Sequence, residues 1–310
     1  MGEKNSNYGK RKHLVVIAGP TAVGKTDLSI RLAQHLQTDL LSADSRQFFR
    51  EMSVGTAKPS PAEQQGVRHH FIDSHSIGEE YSAGMFEQEA LRLLDQLFQT
   101  KDQVVLVGGS GLYVRALCEG MDQMPEPDPA IREDLAQLAK EKGLPFLLDL
   151  LKHHDPEYFL QVDQANPQRV IRALEICLAS GQPYSSFRRK EGTPRPFRIV
   201  KLGLHRDRAE LYDRIDRRVD LMLENGLREE AASLYPFREH NALQTVGYQE
   251  IFAFLEGQYG WEEAVRLIKR NSRRYAKRQL TWFRKDQDFT WFHPEEWDRI
   301  VRHVEERLAS

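Results

Sequence analysis

Gly19-Pro20-Thr21-Ala22-Val23-Gly24-Lys25-Thr26 fits the pattern G-x-x-x-x-G-K-[ST] with no mismatch. Ahead of it runs Leu14-Val15-Val16-Ile17-Ala18, an apolar stretch of buried-strand length. Behind it Leu28, Ile30, Leu32, Ala33 and Leu36 form an apolar set compatible with one helix face. A strand feeding a glycine loop that opens a helix is the context this motif requires. The backbone N–H groups of such a loop and the helix N-terminus form a concave anion site. Lys25 adds a point charge for phosphate oxygens, and the Thr26 hydroxyl is placed to ligate Mg²⁺. The stretch therefore implies bound phosphates, without saying whose.

The chain around this loop has 310 residues, 40% of them hydrophobic and 29% charged, with a formal net charge of -2. That balance exerts no global pull toward nucleic acid or an anionic membrane, so any basic surface must be local. Cys118 and Cys177 lie far apart with no zinc-type spacing. A disulfide framework is not expected, and a reducing cytoplasm fits. Residues 1–11 are polar and basic, read as a disordered leader rather than a signal peptide. No apolar run is long enough to span a bilayer.

Strands and helices alternate over the first part of the chain. Asp39 to Ala43 reads as a second strand that delivers Asp44-Ser45-Arg46-Gln47 at its carboxyl end. Residues 53–68 read as a loop with a short helix, and His69 to Asp73 as a short strand. Phe86 to Phe98 has helical spacing, and Gln103 to Val107 is a buried strand ending in Gly108-Gly109-Ser110-Gly111. The expected fold is α/β, a P-loop NTPase-like doubly wound parallel sheet with an inserted helical domain. Ligands of such sheets bind beyond the strands' carboxyl ends, so the loop, Asp44 and Ser110 should converge. Prolines at 125, 127 and 129 open a helical stretch without a convincing strand, and residues 181–197 return to Gly, Pro and Ser. The core is placed at 12–117 and 198–310, with 118–197 as the insertion. Strands at 198–204 and 288–292 and helices at 209–224, 261–283 and 294–308 complete the core.

Phosphate-loop NTPases hold Mg²⁺ with an Asp at the end of a second apolar strand. Here the best such strand ends in Gly108-Gly109-Ser110, with no carboxylate. Ser110 suits close approach to a diphosphate or its metal, or a plain tight turn. Asp44 could hold metal, act as general base, hydrogen-bond an amine, or cap a helix. Arg206 to Arg218 mixes arginines with aspartates and reads mostly as a solvated, ion-paired face. Arg266 to Lys285 differs, with nine basic residues in twenty, no acidic one, and Tyr275, Trp282 and Phe283 among them. That is a local footprint for a polyanion with unpaired bases.

The ordered set of motifs resembles the bacterial tRNA dimethylallyltransferases over about residues 12 to 300. It comprises the phosphate loop, Ser42 to Gln47, Gly55-Thr56-Ala57-Lys58-Pro59, Val107 to Tyr113 and Asn166 to Glu175. Val246-Gly247-Tyr248 and Lys277-Arg278-Gln279-Leu280-Thr281-Trp282-Phe283-Arg284 complete it. Family members commonly carry Thr where Ser110 stands, which keeps the hydroxyl. The resemblance implies transfer of a dimethylallyl group from dimethylallyl diphosphate to N6 of the adenine next to the tRNA anticodon. The base would leave its stack to react. By resemblance Asp44 is the general base, Ser110 lies between adenine and diphosphate, and Lys25 is catalytic. The diphosphate falls to Gly19, Thr21, Ala22, Val23, Gly24, Lys25, Thr26, Arg214 and Arg218. Mg²⁺ would sit on Thr26, with Ser110 a further candidate. tRNA contacts fall to Asp44, Ser45, Arg46, Gln47 and Ser110, to Arg132, and to Gln168-Arg169-Val170-Ile171-Arg172. They continue through Thr245-Val246-Gly247-Tyr248-Gln249-Glu250 and residues 277–284. A cytoplasmic monomer with no membrane partner is expected. The rival readings are a small-molecule kinase, an RNA-binding module without chemistry, and a transferase acting on free adenine nucleotides.

Overall fold

Six parallel strands, in the spatial order 69–70, 40–42, 103–108, 13–18, 198–204 and 290–292, form the backbone of the fold. In the computed structural model, residues 12–122, 124–125, 128–188 and 192–310 are described. The leader expected at 1–11 lies outside them. The strands are β1 (His13–Ala18), β2 (Leu40–Ser42), β3 (His69–His70), β4 (Gln103–Gly108), β5 (Arg198–Leu204) and β6 (Thr290–Phe292). β1 is central, with Val16 level with Leu106 of β4 and Lys201 of β5. Its side chains alternate between two cores, as a pleated strand covered on both faces requires. Val15 and Ile17 face one core with helices α1 (Lys25–His35), α7 (Arg208–Glu224) and α11 (Trp297–Ala309). Leu14, Val16 and Ala18 face the other, with α2 (Ala83–Leu97), α3 (Gly111–Glu119) and the end of α10 (Trp261–Phe283). A third cluster joins α8 (Leu227–Leu234), α9 (Tyr248–Leu255) and the start of α10. The doubly wound reading holds.

The chain divides into two compact units. One comprises the residues up to Glu119 and from Pro194 onward; the other is Gly120–Thr193. The second is narrower than the 118–197 read from sequence. α3 carries Cys118 through into the sheet's core, and Phe197 packs on Phe98 there at 5.6 Å between ring centres. Within the helical unit α4 (Pro129–His154), α5 (Pro156–Gln161) and α6 (Pro167–Ser180) bury Leu135, Leu147, Leu151, Val170 and Leu174 together. α4 is broken at Gly143, whose φ of 77° leaves the helical region. Residues 53–68 fold as turns without the short helix expected there. α3, α8 and α9 are helices beyond the sequence reading; α8 and α9 are only eight residues each, too short for periodicity to declare itself.

Candidate functional site

The phosphate loop joins β1 to α1 at the sheet's carboxyl edge. Gly24 caps α1 with φ 105°, a left-handed conformation that favours glycine. Ala22 takes the same region at φ 62° despite its Cβ, so the loop is strained there. Side chains from outside hold it in place. Arg214 Nε donates to the Ala22 carbonyl and Arg206 Nε to the Val23 carbonyl, both at 2.9 Å. The Thr21 N–H donates to Gln279 Oε1 at 2.9 Å, and Gln279 Nε2 donates to the Gly109 carbonyl at 2.9 Å. A Cβ on Gly109 would collide with that Gln279 nitrogen, so only glycine lets the strut through. Gln279 therefore bolts α10 to the phosphate loop and to the end of β4.

Lys25 Nζ donates to the Gly19 and Pro20 carbonyls at 3.0 and 2.7 Å. Burial first, and then Arg218, bring its pKa down to about 7 against the partial opposition of Asp44. Burial likewise works against the charges of Arg46 and Arg218, and Asp44 supports both. Asp44 follows β2, and its Oδ1 accepts the Arg46 and Gln47 N–H groups at 3.0 and 3.4 Å. One oxygen thus shapes the turn, while Oδ2 accepts no bond among the described residues. Ser110 is almost fully buried; its Oγ accepts the Ser45 N–H at 2.9 Å and donates to Ser45 Oγ at 3.0 Å. Ser110 also shares a hydrogen bond with Tyr275, whose hydroxyl pKa burial and Asp44 together push up to about 12. Ser110 is committed to fixing the Asp44 turn, which counts against it as a metal ligand.

Asp44, Arg46, Arg218 and Tyr275 of these groups line a pocket of about 100 Å³. With Thr21 they supply polar groups to it. Ile215, Val219, Met222, Leu227 and Ile268 supply an apolar wall, and Val246 and Gly247 also line the pocket. The sequence reading took Tyr275 as one of the aromatics of an RNA-binding helix, not as part of this pocket, and gave no role to the apolar wall. The signal was there in the spacing: 215, 218, 219 and 222 share one face of α7, and 268, 272, 275 and 279 one face of α10.

The Thr26 side chain is exposed at the start of α1, and its hydroxyl makes no hydrogen bond among the described residues. A free hydroxyl beside a phosphate site is the donor chemistry Mg²⁺ takes, together with the phosphate oxygens themselves. Glu210, His293 and Glu295 also converge closely enough for a metal. Arg206 already fills that cluster, its NH1 reaching Glu210, and Glu295 and His293 at 3.3 Å each.

The family profile described as IPP transferase matches residues 47–286. A tRNA dimethylallyltransferase of Cytophaga hutchinsonii is 52% identical over 96% of this chain and 98% of its own length. The chain belongs to the tRNA dimethylallyltransferase family. A relative of the same name from Christiangramia forsetii is 50% identical over 98% of this chain and all of its own. The solved tRNA isopentenylpyrophosphate transferase of Bacillus halodurans superposes with a TM-score of 0.71 at 39% identity, covering 97% of each chain. A eukaryotic dimethylallyltransferase crystallised acting on tRNA gives 0.76 at 25% identity, over 96% of this chain and 77% of that one.

The positions that the family motifs assign to tRNA divide by exposure. Lys277, Arg278 and Thr281 of α10 and Arg284 just after it are exposed, as are Gln249, Arg132, Gln168 and Arg169. Ser45, Arg46, Gln47, Thr245, Val246, Ile171, Arg172, Leu280 and Trp282 are half-buried. Five positions need correction, because their side chains face inward. Val170 packs inside the helical unit and Phe283 inside the sheet's core. Gln279 is the strut described above. The Tyr248 hydroxyl donates to Glu230 at 2.6 Å, and Glu250 accepts the Gly247 N–H and the Asn271 amide at 2.7 Å each. In the helical unit the buried Glu175 carboxylate takes a two-pronged bond from Arg132, at 2.6 and 3.3 Å, and one from Arg172 at 3.1 Å. The Thr21 amide, expected on the diphosphate, is occupied by Gln279, and Arg214 is spent on the loop's outer side.

Proposed function

We propose that this chain transfers a dimethylallyl group from dimethylallyl diphosphate to N6 of the adenine next to the tRNA anticodon. The observation that carries this reading is a pocket lined together by Thr21 of the phosphate loop, Asp44, Arg218 and an apolar wall, in a member of this family. The C1–O bond to diphosphate loosens as positive charge spreads over the allyl group, and N6 bonds to C1. Diphosphate departs, and the N6 proton passes to Asp44 Oδ2. Ser110 keeps that carboxylate in place by holding Ser45, and Tyr275 braces Ser110. Lys25 and Arg218 stand ready for the negative charge that grows on the leaving group, in a site already ordered to receive it. Mg²⁺, held by Thr26 and the diphosphate oxygens, would neutralise part of that charge.

The adenine reaches the pocket only out of its stack, and reading an unpaired base suits the exposed cations of α10. Arg132, Gln168 and Arg169 extend the same role to the helical unit. In this reading the enzyme works as a cytoplasmic monomer. No helix among the described residues is long and apolar enough to cross a membrane, and both cysteines are free and buried. Mass spectrometry of unmodified tRNA incubated with protein, Mg²⁺ and dimethylallyl diphosphate tests it. A mass gain of one dimethylallyl group on that adenosine is expected. ATP consumption with unmodified tRNA would instead point to the kinase, which family membership does not favour.

A further inference from the structure

We propose that Met222 closes the slot for the allylic chain and so sets the length of prenyl group the site accepts, an inference that rests on the prenyl-transfer reading. Helix α7 measures the pocket from the phosphate loop outward. Arg214 holds the Ala22 carbonyl at the loop itself. Arg218, one turn on, lines the pocket and reaches the Thr56 carbonyl at 3.4 Å. Met222 comes one turn later, about 6 Å further along the axis at 1.5 Å per residue. That is comparable with the reach of a dimethylallyl group from its bridging oxygen. A geranyl group carries a second isoprene unit and overruns it.

The lining changes character along this line beyond Arg218. Thr21, Asp44 and Arg218 line the pocket toward the loop, whereas Val219 and Ile268 are aliphatic and packed together. The pocket's volume of about 100 Å³ is modest. An apolar cavity of roughly 150 Å³ holds one benzene ring, six carbons. A five-carbon group is nearer that scale than a ten-carbon one. Among the residues of the apolar wall, Met222 is the one suited to act as a stop. Leu227 and Ile268 are buried core members, whereas Met222 is half-buried and packs at the edge of their cluster. Its unbranched thioether fills irregular gaps and moves easily. Shortening it opens the slot without hollowing the core.

The test compares geranyl with dimethylallyl diphosphate on the same unmodified tRNA, as the ratio of the two kcat/KM values within one preparation. Any loss of folded protein cancels in that ratio. Met222→Ala removes three heavy atoms and should raise the ratio by at least about tenfold, since a single methylene in an apolar pocket is worth that much. Met222→Trp should raise the KM for dimethylallyl diphosphate. Leu221→Ala, on the exposed face of the same helix, should leave the ratio at the wild-type value. An unchanged ratio in Met222→Ala, or an unchanged KM in Met222→Trp, overturns the assignment while the dimethylallyl activity of the wild type stands. A wild type that prenylates nothing removes the parent reading as well.

Discussion

The phosphate loop and the outer face of α10 both announce an anion, and the molecule holds them in opposite ways. The loop's carbonyls and its Thr21 amide are tied by Arg206, Arg214, Lys25 and Gln279 before any ligand arrives. On α10, Arg274, Lys277 and Arg278 are exposed, as is Arg284 at its end. The first arrangement fixes geometry, the second supplies charge. A preordered site loses much when one member goes, because the remaining groups no longer point where charge develops. An exposed face loses little per residue, because each cation is screened and solvated. Single substitutions should therefore rank the two regions.

The largest effect belongs to Asp44. Asp44→Asn keeps an oxygen for the Arg46 and Gln47 amides, so the turn survives, but it cannot take a proton. Turnover should fall by about 10²–10⁴, with tRNA affinity little changed in a binding assay. Normal turnover with weakened binding would make Asp44 an RNA contact or a cap and nothing more.

Gln279 comes next and sits where the two regions join. Gln279→Leu leaves the Thr21 N–H and the Gly109 carbonyl without their partner. At about 1–3 kcal/mol for each buried unpaired group, a drop of about 2–6 kcal/mol in unfolding free energy is expected. The kcat/KM for dimethylallyl diphosphate should fall about 10- to 100-fold as the loop slackens. If only tRNA affinity falls, Gln279 is the surface contact that its motif suggests and the strut is idle.

That residue also marks how far the sequence could be read. The loop, the strand order's alternation and the convergence of Asp44 with Thr21 were legible, because a phosphate loop and apolar strands are local patterns. What hid was everything set by which face of a helix turns inward. Gln279 and Tyr275 lie among nine basic residues, and in a linear string they share their neighbours' character; only the packing of α10 separates them. Arg214 ties the phosphate loop and Arg218 lines the pocket, while Arg217, between them, pairs with Asp213 in solvent. Tyr248 and Glu250 sit in a family motif for the same reason as Gln279, because they build the interior beside the pocket.

Lys25 should give a smaller effect, read through pH. Its pKa of about 7 in the empty site means that the amine is largely neutral above that pH. A diphosphate favours the ammonium form, so binding takes up a proton. Affinity for the diphosphate should weaken as pH rises from 7 to 9, by up to about tenfold per unit. Calorimetry in buffers of differing ionisation heat should show the uptake. The unfolded chain keeps this proton to about pH 10.5 while the folded one releases it near 7. The free protein should accordingly gain stability across that window as pH rises. Affinity that stays flat from pH 7 to 9 would mean that the lysine is charged in the empty site.

The smallest effects lie on α10, and their ordering tests the comparison most finely. Arg273 pairs with Asp216 and Lys269 with Asp220, whereas Arg274 and Lys277 are exposed with no acidic partner among the described residues. An arginine already neutralised by a carboxylate releases fewer counterions when a phosphate approaches. Arg274→Gln and Lys277→Gln should each lower the slope of log affinity against log salt by about 0.7–1. Each should weaken tRNA binding only severalfold. Arg273→Gln should change the slope less, although the residue stands one position from Arg274. Equal losses from all three would mean that the ion pairs open on binding and that α10 acts through its total charge. Slopes unchanged in all three would remove this helix from the RNA surface, leaving its inner face, with Tyr275 and Gln279, as its entire contribution.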